Sequence, residues 1–331
     1  MKTLRIVQFG LGPIGRETAR LVLKKQGMEL VGAIDIDENI VGKDAGEVLE
    51  VPETLGVKVE NDAAVLDRLK PDVVLHTTSS FLDRIEDQLM TCINAGVHVV
   101  SSNEELFYPY YRDAEFCERI DAAARAKNVV VIGTGVNPGF VLDVFPLFMT
   151  AVCTEVKSIR ALRVSNAGIR RGPLQRKVGA GLTEERFLQL VDEGKLGHIG
   201  LLESLLSIAD GLGWQPDEIE EKVLPVISKK DVKTPFVDLK IGHAAGVCHT
   251  CVAFKNGKKI IELELRMYVG AEDEHDMVWV EGTPPIVTRI ETGVKGDIAT
   301  VAAVVNTAAR IANAKAGLRT MLDIDLPRAC P

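Results

Sequence analysis

No stretch of this sequence is long and apolar enough to cross a bilayer. The most apolar helical run, Ile298 to Ala312, includes Asn306 and Arg310 and falls short of the ~20 residues a span needs. Nothing ahead of the first strand-like run at Leu4 resembles a secretory leader, so a cytoplasmic location is expected. Positive charge is in deficit: 39 Lys and Arg face 47 Asp and Glu, a formal net charge of −8. Such a surface would attract neither nucleic acid nor an anionic membrane, and neither is expected as a partner. The six cysteines (92, 117, 153, 248, 251 and 330) are scattered, as suits a reducing compartment. Cys248-His249-Thr250-Cys251 has the spacing of a redox pair or half a zinc site. No second pair completes it, and in a strand, positions three apart face opposite sides, so no metal is expected. Internal repeats and low-complexity linkers are also missing.

What the chain does have is concentrated at its start, in LRIVQFGLGPIGR (4–16). An apolar run, Leu4 to Phe9, passes directly into Gly10-Leu11-Gly12-Pro13-Ile14-Gly15 and then into a helical pattern through Leu23. A strand entering a helix through Gly-x-Gly-x-x-Gly is the dinucleotide-binding fingerprint. Gly10 permits the turn, Gly12 lets a pyrophosphate approach the backbone, and Gly15 lets the helix lie close to the strand. Pro13 suits a first helical turn, where its missing N–H is no loss. The free N–H groups and the helix dipole favour an anion there. A second strand, Leu30 to Ile34, ends at Asp35, placed to accept both hydroxyls of an adenosine ribose. These residues predict a nicotinamide dinucleotide, NAD or NADP with NAD favoured. Arg16 or Lys43 could instead receive a 2′-phosphate.

The 331 residues suffice for two domains. Strands are expected at 72–77, 97–101 and 129–133, with helices at 63–69, 82–95, 113–126 and 140–152. That alternation predicts an α/β fold with a doubly wound, parallel Rossmann-type sheet. Ligands of such sheets sit at the carboxyl ends of the strands. Gly10–Gly15, Asp35, Thr77-Thr78-Ser79, Asn103-Glu104-Glu105 and the loop 133–140 therefore fall along one edge. Beyond residue 152 the pattern changes: a strand at 156–165, helices at 183–193 and 201–211, then alternating runs at 246–255 and 259–269 around Asn256-Gly257, a hairpin signal. This predicts a second α+β domain of mostly antiparallel strands. The expected division is 1–140 with 297–331 for the dinucleotide-binding domain, its last helix at 297–314 packing back on it. Residues 141–296 form the second domain.

Several segments resemble known families. The first domain, through Gly15-Arg16 and Asp44-Ala45-Gly46-Glu47, resembles dihydrodipicolinate reductases, but their adjacent histidines and Asp-Ala-Pro-Ser-Gly-Thr run are missing. The chain is more similar to 2,4-diaminopentanoate dehydrogenases and the related native amine dehydrogenases. HTTSSFL (76–82), SSNEELFYP (101–109), GTGVNPGF (133–140), GAGLT (179–183), GHIG (197–200) with Glu203-Ser204, and GLRTMLD (317–323) carry this likeness. It implies NAD(P)-dependent deamination of an amine to a ketone, the reverse amination with ammonia, and a homodimer whose second domain binds substrate and dimerises. It also implies Glu104 as the catalytic carboxylate, with Phe140, Arg163, His198, His249 and Thr300 at the substrate pocket. Ser165 stands where some relatives have asparagine.

A carboxylate beside the nicotinamide is chemically apt, because it can move protons and stabilise a positive iminium where a lysine would repel it. Each of these residues also has a plainer reading. Glu104 and Glu105 can simply be first-turn acids after an Asn103 cap. Thr77 to Ser80 can cap the next helix, and Asn137 can either stabilise its turn or reach a carboxamide. Arg163 can be a surface strand residue or a guanidinium for a carboxylate. His198 and His249 can be structural, and Phe140 core. The rival functions are an imine reductase of the dihydrodipicolinate reductase type and a nucleotide sensor without turnover.

Overall fold

Short runs of β-branched and apolar residues build the strands of the first sheet: β1 (Leu4–Phe9), β2 (Met28–Ile34), β3 (Val59–Glu60), β4 (Val73–His76), β5 (His98–Ser101) and β6 (Val130–Gly133). The computed structural model describes residues 3–170 and 172–330, which fall into two units. One comprises Met1–Gly139 with Lys295–Pro331, the other Phe140–Val294.

In the first unit these strands join Gly317–Arg319 in a seven-stranded sheet. Its order is Gly317–Arg319, β6, β5, β4, β1, β2, β3, and every pairing is parallel. Continuous apolar runs such as VVIG suit a sheet covered on both faces. On one face Val7, Phe9, Val74, Val99 and Val131 form a single cluster with Leu89, Ile93, Phe116 and Ile120 of helices Glu86–Asn94 and Ala114–Ala126. Helix Pro13–Leu23 packs against the closing helix Gly296–Ala308, which also touches β4 and β5. The strand order reverses direction between β1 and β4, and the carboxyl ends of this pair are where such sheets bind ligands.

The second unit holds β7 (Glu155–Asn166), β8 (Glu218–Ile227), the short pair β9 (Val232–Lys233) and β10 (Asp238–Leu239), β11 (Ala244–Lys255), β12 (Lys258–Tyr268), β13 (His275–Thr283) and β14 (Ile286–Glu291). Its six-stranded sheet runs β14-β13-β7-β12-β11-β8. Among its described pairings β12 with β7 is parallel, and the rest are antiparallel. Asn256 and Gly257 turn β11 into β12 with φ of 51° and 72°, the left-handed pair a two-residue hairpin loop demands. Helix Leu201–Gly211 packs on β11 and β12. No helix among the described residues is long and apolar enough to cross a membrane.

Three expected helices are shorter than their periodicity suggests. The one expected from Phe140 begins at Val144, where the Asp143 carboxylate accepts the Val144 N–H at 2.6 Å, and Thr150–Val152 is a 3₁₀ turn. The one expected at 82–95 splits at Ile85, whose φ of −120° is not helical, into a 3₁₀ turn and Glu86–Asn94. The closing helix ends at Ala308, and Ile311–Asn313 forms a separate turn.

Candidate active site

The glycine loop is shaped by what a side chain would strike. Gly10 has φ of +91°, and a Cβ on it would lie 2.7 Å from the Thr77 carbonyl oxygen. A Cβ on Gly15 would lie 1.8 Å from the Gly10 oxygen and 2.7 Å from Thr77 Oγ1, so the helix start is pressed against the turn. Gly12 is different: a Cβ there meets nothing within 4 Å. Its missing side chain leaves open space at the N-terminus of an 11-residue helix with Pro13 in first position, the geometry that admits a phosphate.

Polar side chains brace this loop from beneath. Gln8 Nε2 donates to the Gly10 oxygen and to Thr77 Oγ1, both at 2.9 Å, and Thr77 Oγ1 donates to the Gly10 oxygen at 3.0 Å. Asp35, at the end of β2, accepts the Leu11 N–H on one oxygen and the Asp37 N–H at 2.9 Å on the other. Its carboxylate is thereby fixed against the loop, and each oxygen keeps a lone pair for a ribose hydroxyl. Arg16 donates from Nε to the Leu11 oxygen at 2.9 Å and lies near enough to Asp37 to help lower that carboxyl, after the two bonds from Asn39. The open cradle at Gly12 and the anchored Asp35 fit a dinucleotide. Pro13 and Ile14 follow Gly12 in the same helical turn.

The hydroxyl cluster after β4 is mostly engaged within the protein. Thr78 Oγ1 donates to Gln88 Oε1 at 2.7 Å, and Ser79 Oγ accepts the Phe81 N–H. Beneath it His76 is fully buried, with Nε2 2.7 Å from Gln88 Oε1 and Nδ1 2.9 Å from Ser101 Oγ. Burial pushes the imidazole down to about 4, so it is neutral near pH 7. Ser101 Oγ also accepts the Asn103 N–H at 3.1 Å.

After β5 the chain makes a 3₁₀ turn, Glu105–Phe107, with Glu104 half-buried at its cap. Asn103 is buried, accepting the Leu106 N–H at 2.7 Å and donating to the Ser79 oxygen at 2.8 Å. Glu105 is buried as well, accepting the Leu82 N–H at 2.8 Å. After β6, Gly139 folds back on Gly135, where a Cβ would come within 2.2 Å of the Gly135 nitrogen. Asn137, half-buried, lies in this loop, and Thr300 of the closing helix lies beside Gly135.

The other predicted pocket residues belong to the second unit. The strand register places Asp276, Arg163, Leu265, His249 and Val223 in one row across five strands of the six-stranded sheet. Arg163 is 3% exposed, its guanidinium 3.3 Å from Asp276 and donating to the Val294 oxygen at 2.6 Å. It is not a surface strand residue, and a substrate carboxylate would share it with Asp276. His249 Nε2 is 2.9 Å from Glu221, while its buried Nδ1 has no hydrogen-bond partner. His198 lies near both: burial first, then its neighbours His249, Lys177 and Arg163, push it down to about 3. Phe140 is 41% exposed and stacks on Phe145 at 5.7 Å. Cys248 and Cys251 sit on opposite faces of β11, and all six cysteines are free thiols.

Residues 140–331 match the model of the 2,4-diaminopentanoate dehydrogenase C-terminal domain, and residues 4–103 that of the dihydrodipicolinate reductase N-terminus. A 2,4-diaminopentanoate dehydrogenase from Acetoanaerobium sticklandii is 33% identical, over 99% of this chain and 95% of its own. The chain belongs to the 2,4-diaminopentanoate dehydrogenase family. An amine dehydrogenase from Streptomyces virginiae is 29% identical over 48% of this chain and 45% of its own. The solved amine dehydrogenase of Mycobacterium smegmatis shares the fold, with a TM-score of 0.87, 24% identity, and coverage of 98% of this chain and 97% of that one.

In this member of the 2,4-diaminopentanoate dehydrogenase family, the sequence did not reveal the supporting residues. Gln8, Gln88 and Ser101 hold the strand-end loops, and Asp276 and Glu221 hold Arg163 and His249. A polar residue inside a buried apolar strand, such as Gln8 in LRIVQF, was the one available signal.

Proposed function

We infer that the protein is an NAD(P)-dependent amine dehydrogenase, converting a CH–NH2 carbon to a ketone with release of ammonia, and running in reverse as a reductive aminase. The observation that carries this reading is the strand-end edge of the first sheet. There a chain of this family places an open Gly12 cradle, an anchored Asp35 and a half-buried Glu104.

A nicotinamide dinucleotide held there would supply the hydride acceptor for the amine carbon, and the hydride donor in the reverse direction. Gly10, Gly12, Pro13, Ile14 and Gly15 would hold the pyrophosphate, and Asp35 the adenosine ribose. Thr77, Thr78, Ser79, Asn103 and Asn137 would border the nicotinamide half. The Asp35 carboxylate favours NAD, since a 2′-phosphate would meet its negative charge, with Arg16 or Lys43 the cation that could offset it. Glu104 carries the acid–base work. In deamination it takes a proton from the water that attacks the iminium carbon, then helps ammonia depart. In amination it passes protons the other way and stabilises the cationic iminium. Such help is worth ~10²–10⁴ in rate.

Phe140, Arg163, His198, His249 and Thr300 are assigned to substrate recognition. The gathering of Arg163, His198 and His249 supports this, and the Arg163–Asp276 pair suits a substrate bearing both positive and negative groups. A homodimer is the assembly proposed: the sheet face carrying Trp279 and Met277 also exposes Val287 and Leu224. The free thiols suit a cytoplasmic site of action.

The test follows NADH oxidation by ketones with and without ammonium chloride, and NAD reduction by 2,4-diaminopentanoate and 2-aminopentane. Ammonia-dependent oxidation that falls by about 100-fold or more in Glu104→Ala supports the reading. Ammonia-independent oxidation would make it a carbonyl reductase. Turnover that survives Glu104→Ala unchanged removes Glu104 from the chemistry, and dinucleotide binding without any turnover would mark a sensor.

A further inference from the structure

We propose that Glu105 is the positioning residue for Glu104, clamping the segment that carries it onto the loop after β4. The inference rests on Glu104 being the acid–base group. A glutamate that served only the dipole of its short turn would be left at the surface, yet Glu105 is 9% exposed. One carboxylate oxygen accepts the N–H of Leu82, 23 residues away, at 2.8 Å. The other lies 3.3 Å from the Arg112 guanidinium, which neutralises it and keeps a bare second charge away from Glu104. The Glu105 N–H also reaches the Ser80 oxygen, at 3.4 Å.

Asn103 supplies the matching arm on the other side, donating to the Ser79 oxygen at 2.8 Å. Residues 103 and 105 thus both grip the 79–82 segment, and Glu104 is the residue between the grips. From the β6 side the same turn is pressed home by Gly133, where a Cβ would come within 2.5 Å of the Leu106 carbonyl carbon. Glu105→Ala would leave the Leu82 N–H buried without its acceptor and free the turn on one side. Glu105→Gln keeps an acceptor for Leu82 while giving up the charge pairing with Arg112.

A double-mutant cycle with the full-length protein tests this, using Glu105→Ala, Glu104→Ala and the pair. The readouts are kcat and KM for the amine that turns over, NADH affinity by fluorescence, and melting temperature. Displacing a reacting group by ~1 Å costs up to about 100-fold. Glu105→Ala is expected to lower kcat about 10- to 100-fold, with NADH affinity within about two-fold. Glu105→Gln should recover most of that loss. In the Glu104→Ala background the same change should alter the residual turnover by less than about two-fold, because groups acting as one unit are not additive. Where that residual activity is undetectable, the cycle runs on Glu104→Gln, which keeps the length of the side chain and gives up the acid–base group.

Equal losses in both backgrounds would mean general loosening and overturn the proposal. So would an unchanged kcat in Glu105→Ala alone. If Glu104→Ala itself has no effect, the acid–base assignment fails and this inference with it, an outcome distinct from the other two. Should Glu105→Ala not fold, Arg112→Met slackens the same clamp from its exposed end. It is expected to lower kcat by about three- to ten-fold, and an unchanged kcat there counts against the proposal.

Discussion

Replacing two glycines of one loop by alanine should separate binding from stability. Gly12 has φ of −63° and ψ of −176°, a conformation any residue adopts, and its new methyl would meet nothing within 4 Å. The folded protein loses only the small difference between glycine and alanine at a helix cap, about 0.5–1 kcal/mol. At roughly 2–4 °C per kcal/mol for a chain of this size, the melting temperature should move by no more than about 4 °C. The methyl would occupy the space into which a pyrophosphate must come, and NADH affinity should fall at least about 30-fold, some 2 kcal/mol. Gly15→Ala meets the opposite situation. Its Cβ would lie 1.8 Å from the Gly10 oxygen, about half an ordinary contact, so the helix must move away from β1. Overpacking of that kind costs about 1–3 kcal/mol or more, and melting should fall by about 2–12 °C along with binding. Thermal melts and NADH fluorescence titrations read both effects. A Gly12→Ala protein that binds NADH as tightly as the parent would show that the dinucleotide does not pass over this loop.

Two further outcomes concern stability. His76 titrates at about 4 in the folded protein against 6.5 when free, so its contribution is present above pH 6.5 and is lost as pH falls through 4. The difference is worth about 3 kcal/mol; urea unfolding of His76→Gln between pH 7 and 4 should show a correspondingly shallower decline than the parent. His198, held down at about 3, adds to the parent's acid sensitivity in the same direction. Arg163→Met should destabilise by about 3–5 kcal/mol, since it leaves Asp276 buried without its countercharge, whereas Arg163→Met with Asp276→Leu should recover much of that loss in chemical denaturation.

Local signals and long-range ones were not equally legible. The glycine loop reads directly from sequence because each glycine's task is set by the next few residues. The apolar runs of β1, β4, β5 and β6 were plain for the same reason. Val59–Glu60 and Gly317–Arg319 were not foreseen, since two or three residues carry no periodicity. The side chains around Glu104 show the limit most clearly. Asn103 reads as a cap, and its side chain does accept the Leu106 N–H although Glu104 holds the cap position, but its second bond goes to Ser79, 24 residues back, and no local pattern announces that. Arg163 on an alternating strand could as well have faced water. It is buried because Asp276 lies opposite it on β13, 113 residues later. His249 is likewise explained by Glu221 on β8.

The first sheet is assembled from two segments separated by the whole second unit, and this bears on how the protein is made. A ribosome releases β1 to β6 early, but the strand that pairs with β6 and the helix lying against Pro13–Leu23 come from residues after 294. Until they emerge, β6 is a bare edge, and the nascent nucleotide-binding half must wait while all of 140–294 is synthesised. A stop codon shortly before Gly317 would therefore damage the sheet of residues 4–133 more than the second unit, which is nearer to the break in sequence.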